Sequence, residues 1–201
     1  MISIINYGAG NLHSVKNALD YLNSESFISD NPNDILNADK IILPGVGSFG
    51  DAMNALNEKK LTDTIKQAVS MNKPLLGICL GLQLLFEASE ESPGIKGIGV
   101  LKGKIVKIPK IGDIKIPHIG WNNLEISKPS ALLKDIGSNP YVYFVHSYYL
   151  EPLNGEDVSA YTEYGQKLAV AAEKGNIFAT QFHPEKSGGT GLKILKNFIE
   201  L

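Results

Sequence analysis

The chain has 201 residues, 43% of them hydrophobic, with a formal net charge of −2 and one cysteine. That supplies apolar material for a sizeable core in one domain over 1–201, and no basic stripe marks the chain for nucleic acid. The lone cysteine excludes an internal disulfide, no apolar run approaches the ~18 residues of a membrane span, and MISIINYGAG lacks the basic start of a signal peptide, so a soluble cytoplasmic protein is expected.

Short apolar runs alternate with helical patterns through the first half. ISIIN (2–6) reads as a buried strand, and NLHSVKNALDYL (11–22) places Leu12, Val15, Ala18, Leu19 and Leu22 at helical spacing. SFIS (26–29) is a weaker strand, and KIILP (40–44) a stronger one that ends in a glycine turn. Residues 49–72 read as one or two helices, 74–79 as a strand and 80–89 as a helix. Alternation of this kind predicts an α/β fold with a mostly parallel sheet flanked by helices. The second half changes character. Strands are expected over 99–109, 113–126, 141–150, 158–164, 167–175 and 177–184, adding antiparallel strands before a final helix over 190–201.

The single cysteine sits in GICLG, residues 77–81, where a strand hands over to a helix. Its ordinary reading is a small buried hydrophobe. Gly77 and Gly81, however, permit the sharp turn of a nucleophile elbow, with Cys79 where hydrolases carry serine. A helix N-terminus there favours thiolate, and the Leu80 N–H becomes an oxyanion donor. A thiolate needs a base with a group to orient it. Of four histidines, His183 has a carboxylate two residues on, Glu185, and in extended chain both point to one side. PGVGSFGD (44–51) offers backbone N–H groups at another strand end, a second wall for an oxyanion hole. GAGNLH (8–13) lacks the third glycine of a dinucleotide fingerprint, and no Walker pattern occurs.

Gly77–Gln83, Pro44–Gly47 and His183-Pro184-Glu185 together resemble the class I, triad-type glutamine amidotransferases. NYGAGNLHSV (6–15), PHIGWNNL (117–124), YFVHSYY (143–149) and QFHPEKSG (181–188) are similar to the branch of that family in histidine biosynthesis. The resemblance runs from residue 2 to the C-terminal helix. It implies that Cys79 attacks the amide carbon of glutamine to form a thioester, that His183 moves the protons and that Glu185 orients it. It implies an oxyanion hole at Leu80 and the Val46–Gly47 peptide, and glutamine contacts from Gln83, Gly47, Ser147 and Tyr148. Ammonia would pass to a (β/α)8-barrel synthase subunit making imidazole glycerol phosphate, in a heterodimer with Asn6, Asn11, Trp121, Asn122 and Tyr143 toward the partner. No cofactor, metal, membrane or nucleic acid is implied. Ordinary strand packing also accounts for Trp121, Tyr143 and Tyr148; His146 reads as structural, and His13 and His118 carry no assignment. A paralogue feeding a surface-sugar synthase, a stand-alone cysteine hydrolase and a silent docking subunit use the same residues. The intact Cys79, His183 and Glu185 speak against the last. Gly45 and Gly47 make a peptide flip at Val46 cheap, so Pro44–Gly47 is expected to act as a switch.

Overall fold

The computed structural model describes residues 1–201. In chain order the elements are β1 (Ile2–Ile5), α1 (Leu12–Tyr21), β2 (Ser26–Ser29), α2 (Pro32–Asn37), β3 (Lys40–Gly45), α3 (Phe49–Glu58), α4 (Leu61–Ser70), β4 (Leu75–Cys79) and α5 (Leu80–Leu84). There follow β5 (Ala88–Ser89), β6 (Gly103–Lys107), β7 (His118–Asn123), β8 (Glu125–Ile126), β9 (Tyr141–His146) and β10 (Tyr148–Pro152). The chain ends with β11 (Val158–Glu163), β12 (Lys167–Lys174), β13 (Ile177–Thr180) and α6 (Gly188–Ile199).

The main sheet runs β2-β1-β3-β4-β13-β12-β10-β6-β5, with β8 and β11 reached through β12. From β2 to β13 neighbouring strands are parallel; β12, β10 and β6 then continue antiparallel. Parallel strands with both faces covered carry two alternating apolar sets. Ile5, Ile41, Leu43 and Leu75 face a core formed with α2, α3 and α4, while Ile4, Ile42, Leu76 and Ile78 face one formed with α1 and α6. No helix is long and apolar enough to cross a membrane.

Several boundaries differ from the sequence reading, some for long-range and some for local reasons. The expected helix over 80–89 stops at Leu84, because the carbonyls of Leu84, Leu85 and Phe86 accept from the N–H groups of Ile98, Leu101 and Gly99. The expected strand over 141–150 divides at Ser147: β9 pairs with β7 in a separate two-stranded sheet, and β10 joins the main sheet. The 113–126 strand begins only at His118, and the 99–109 strand is confined to Gly103–Lys107. Residues 49–72 form two helices, parted where Lys60 takes a left-handed φ of 59°. The unexpected α2 starts at Asn31, whose side chain caps it, with Pro32 in the first turn.

Candidate active site

β3 and β4 end side by side, with Gly45 paired to Cys79. The next parallel strand, β13, ends at Thr180, three residues before His183. The chemistry-bearing residues thus collect at the carboxyl edge of the sheet. Cys79 has φ 56° and ψ −113°, a strained conformation for a residue with a Cβ, costing on the order of 1–3 kcal/mol. The packing imposes it. Gly81 lies so close to β3 that a Cβ there would overlap the Leu43 carbonyl oxygen. The turn therefore closes only with glycine at 81, and it holds the sulfur at a cleft while Cys79 stays 92% buried, at 8% relative exposure. Leu80 is the first residue of α5, where an N–H has no acceptor within its own helix.

His183 and Glu185 do pair, through a different geometry from the extended one expected. The strand has already ended, and Pro184–Lys186 form a 3-10 turn. Across that turn His183 Nδ1 lies 2.7 Å from Glu185 Oε1, with both side chains buried. The His183 N–H donates to the Tyr143 carbonyl at 3.1 Å. The Ser187 hydroxyl donates to the His183 carbonyl at 2.6 Å and accepts from the Tyr143 N–H at 3.0 Å. Burial alone would push the imidazole down, but the neighbouring Cys79 sulfur and the Glu185 carboxylate outweigh it and raise its pKa to about 10. Both neighbours favour the protonated ring, and Nε2 is left without a hydrogen-bond partner.

A cleft of about 340 Å³ brings together Cys79, His183, Val46, Gly47, Leu80, Gln83, Ser147 and Tyr148. Every nucleophile, base, oxyanion and substrate candidate from the sequence lines it, except Glu185, which stands behind His183. Gly47 has φ +99° with open space around it, and Val46 is 43% exposed. Gln83 is tied within the chain: its Nε2 donates to the Tyr148 carbonyl at 3.4 Å and to Gln181 Oε1 at 3.1 Å. Both N–H bonds are so used, and the group Gln83 has left to offer the cleft is Oε1, an acceptor.

Two further residues were not anticipated. Glu91 lines the cleft and accepts from the Phe49 N–H at 2.7 Å, at the start of α3. Its loop reads as ordinary polar chain, so only the fold discloses it. Gln181 Nε2 lies 3.8 Å from Cys79 Sγ. Its place two residues before His183 was the one signal available.

Trp121 and Tyr143 sit opposite each other on β7 and β9, in an edge-on contact at 6.2 Å, and Trp121 is 55% exposed. Asn11 caps α1 by accepting from the Ser14 N–H, Asn6 accepts from the Gly8 N–H, and Asn122 donates to the Glu163 carbonyl. His118 stacks between Phe144 and Tyr164, and its Nδ1 lies 3.0 Å from His146 Nε2. Burial lowers the pKa values of the two rings to about 4 and about 3 respectively. His13 is exposed on α1 and takes no part in the cleft.

Residues 3–201 match the glutamine amidotransferase class-I family. The imidazole glycerol phosphate synthase subunit HisH of Methanocaldococcus jannaschii is 49% identical over 201 residues, covering 100% of both chains. That of Moorella thermoacetica is 48% identical, covering 100% of this chain and 94% of its own. Among solved structures, one described as a glutamine amidotransferase superposes with a TM-score of 0.78 at 20% identity, covering 100% of this chain and 98% of its own. PurLQS from Thermotoga maritima gives 0.75 at 22% identity, covering 99% and 97%. Both of these share the α/β architecture described above.

Proposed function

The chain belongs to the class-I glutamine amidotransferase family, and from that premise we propose that it is the glutamine-hydrolysing subunit of an imidazole glycerol phosphate synthase of histidine biosynthesis. The observation that carries this reading is the convergence of Cys79, the His183–Glu185 pair and the Val46–Gly47 turn on one cleft. Residues 1–201 act as one glutaminase domain, in a cytoplasm that keeps the single thiol reduced.

The Cys79 thiolate attacks the side-chain amide carbon of glutamine, forming a C–S bond and placing negative charge on the amide oxygen. The Leu80 N–H and an N–H of the Val46–Gly47 segment receive that charge. The C–N bond then breaks, with the His183 imidazolium giving its proton to the departing ammonia and leaving a γ-glutamyl thioester. His183, now neutral and oriented by Glu185, takes a proton from water as the water attacks the thioester. Glutamate leaves, and the thiolate–imidazolium pair is restored. Gln83 offers the cleft only an acceptor, and Glu91 is its carboxylate, so these two hold the α-ammonium of glutamine. Gly47, Ser147 and Tyr148 contribute backbone to the same cleft.

Ammonia needs an acceptor, and both relatives are synthase subunits by name. Ile119, Trp121, Tyr141 and Val145 form an exposed apolar face on the two-stranded sheet, and Val145 also borders the cleft. A contiguous apolar face beside a reaction site is suited to a protein partner. We assign it, with the Asn6–Asn11 loop, to a (β/α)8-barrel synthase subunit. In this reading, reorientation at Pro44–Gly47 on docking brings an N–H into the oxyanion hole, and lacking one such donor costs about 10²–10³ in rate. The test is ammonia release from glutamine by the purified chain, alone and with the histidine-pathway barrel subunit and its nucleotide ligand. Activation of about 10²-fold or more, abolished by Cys79→Ala, is expected. Equal activity with and without the partner would overturn the switch, and silence in both states would overturn the glutaminase reading.

A further inference from the structure

We propose that Gln181 donates a hydrogen bond to the Cys79 sulfur that favours its thiolate, and that the direction of this bond is dictated by the backbone carbonyl of Tyr148. The two ends of a side-chain amide have nearly the same shape, so which end meets a neighbour is decided by the network around it. Here the network has one fixed point. The Tyr148 carbonyl can only accept, and it receives His146 Nδ1 at 2.9 Å and Gln83 at 3.4 Å. The Gln83 atom facing it is therefore nitrogen. That nitrogen sends its second N–H toward Gln181 at 3.1 Å, so the Gln181 atom receiving it is oxygen. The remaining end of Gln181, 3.8 Å from Cys79 Sγ, is then an NH₂ group. Reversing either amide would set two acceptors or two donors face to face in a buried site, at the cost of leaving both unsatisfied.

The same fixed point orders the other side. His146 uses Nδ1 as donor, so its Nε2 accepts from His118 Nδ1 at 3.0 Å, and His118 Nε2 accepts from Asn122 at 3.4 Å. Both rings are neutral in this arrangement, so no mobile proton runs down the chain to cancel the donor at the sulfur. A neutral amide N–H facing sulfur stabilises S⁻ over S–H, because the bond to the charged form is the stronger. Around Cys79 the ionisable groups are the His183 ring, backed by Glu185; the Tyr7 phenol, whose pKa burial raises; and Glu91 in the cleft. Gln181 adds a donor that does not depend on the charge of His183.

This inference rests on Cys79 reacting as a thiolate, and it is tested without glutamine or a partner. Cys79 is the only cysteine, so iodoacetamide alkylation of the intact chain reads one site. Gln181→Met keeps the side-chain length and removes the donor. Its alkylation–pH profile is expected to lie about one unit above that of the unaltered chain, with alkylation about tenfold slower on the rising limb. Coincident profiles with unchanged thermal melting would overturn the proposal. Should Gln181→Met fail to fold, Gln181→Leu likewise removes the donor without adding a charge, and the same displacement or coincidence decides. A measurement needing no variant is the side-chain amide resonance of ¹⁵N-labelled Gln181 before and after alkylation of Cys79. A shift of that resonance is expected, and an unmoved resonance would overturn the bond. A failed glutaminase assay leaves these readouts standing, and coincident profiles leave the glutaminase reading standing.

Discussion

The cleft has two unlike walls. On one, the β4–α5 elbow holds Cys79 in a strained backbone, with Gly81 pressed against β3 and Gln83 and Gln181 buried and bonded to their neighbours. On the other, β7 and β9 turn Ile119, Trp121, Tyr141 and Val145 out to solvent. The first wall spends its neighbours on holding one atom still; the second leaves apolar surface uncovered. The division matches what the proposed roles of the two walls require. A nucleophile misplaced by an ångström loses much of its rate, whereas a docking surface must remain accessible. His183 joins the two, because its N–H is held by the Tyr143 carbonyl of β9 while its ring faces the elbow.

The most direct way to break this comparison is to disturb the elbow itself. Gly81→Ala drives a Cβ into the Leu43 carbonyl, and neither β3 nor β4 has room to retreat between two filled cores. A loss of about 3 kcal/mol of folding stability is expected in urea denaturation. A loss under about 0.5 kcal/mol would mean that the elbow is far more compliant than its packing indicates. The second wall is expected to answer in the opposite sense. Trp121→Glu should leave urea denaturation within about 0.5 kcal/mol of the parent chain. It should weaken binding of the barrel subunit by about 2 kcal/mol, roughly 30-fold in Kd by titration calorimetry, as buried interface tryptophans do. Unchanged binding would remove Trp121 from the interface and return it to ordinary rim packing.

The sequence made the elbow legible because its signals are local. Glycines two residues either side of a cysteine, at a change from strand to helix period, need no knowledge of distant chain. The His183–Glu185 pair was legible for a partly mistaken reason. Spacing of two brings them together, but across a 3-10 turn rather than along a strand that continues past Thr180. What stayed hidden was set by long-range pairing. Glu91 enters the cleft because α5 ends at Leu84, and α5 ends there because Ile98, Gly99 and Leu101 take the carbonyls that a longer helix would use. Gln181 carries only the mark of its place two residues before His183, and its significance depends on Gln83 and Tyr148, both distant in the chain. The break at Ser147 was hidden likewise, since one apolar alternation serves two sheets.

The smallest expected effect probes the layer between the walls, where His118 and His146 lie under the exposed face and beside the cleft. Burial lowers their pKa values from 6.5 to about 4 and about 3. The unfolded chain therefore binds protons near pH 6.5 that the folded chain refuses, so the stability tied to the neutral rings is complete above about 6.5 and is lost as pH falls toward 4 and then 3. A pH unit of such mismatch is about 1.4 kcal/mol per group, and the rings share a hydrogen bond, so about 1–2 kcal/mol should vanish between pH 6.5 and 5.5. Urea titrations over that interval read it, and His118→Phe with His146→Gln should flatten the slope while leaving the neutral-pH intercept lower. A slope unchanged by the double substitution would assign the acid sensitivity elsewhere, and would mean that the two walls are joined by something other than this neutral pair. His183 supplies the internal check, since its raised pKa has the opposite sign: its contribution is complete below about pH 6.5 and is lost as pH rises toward about 10.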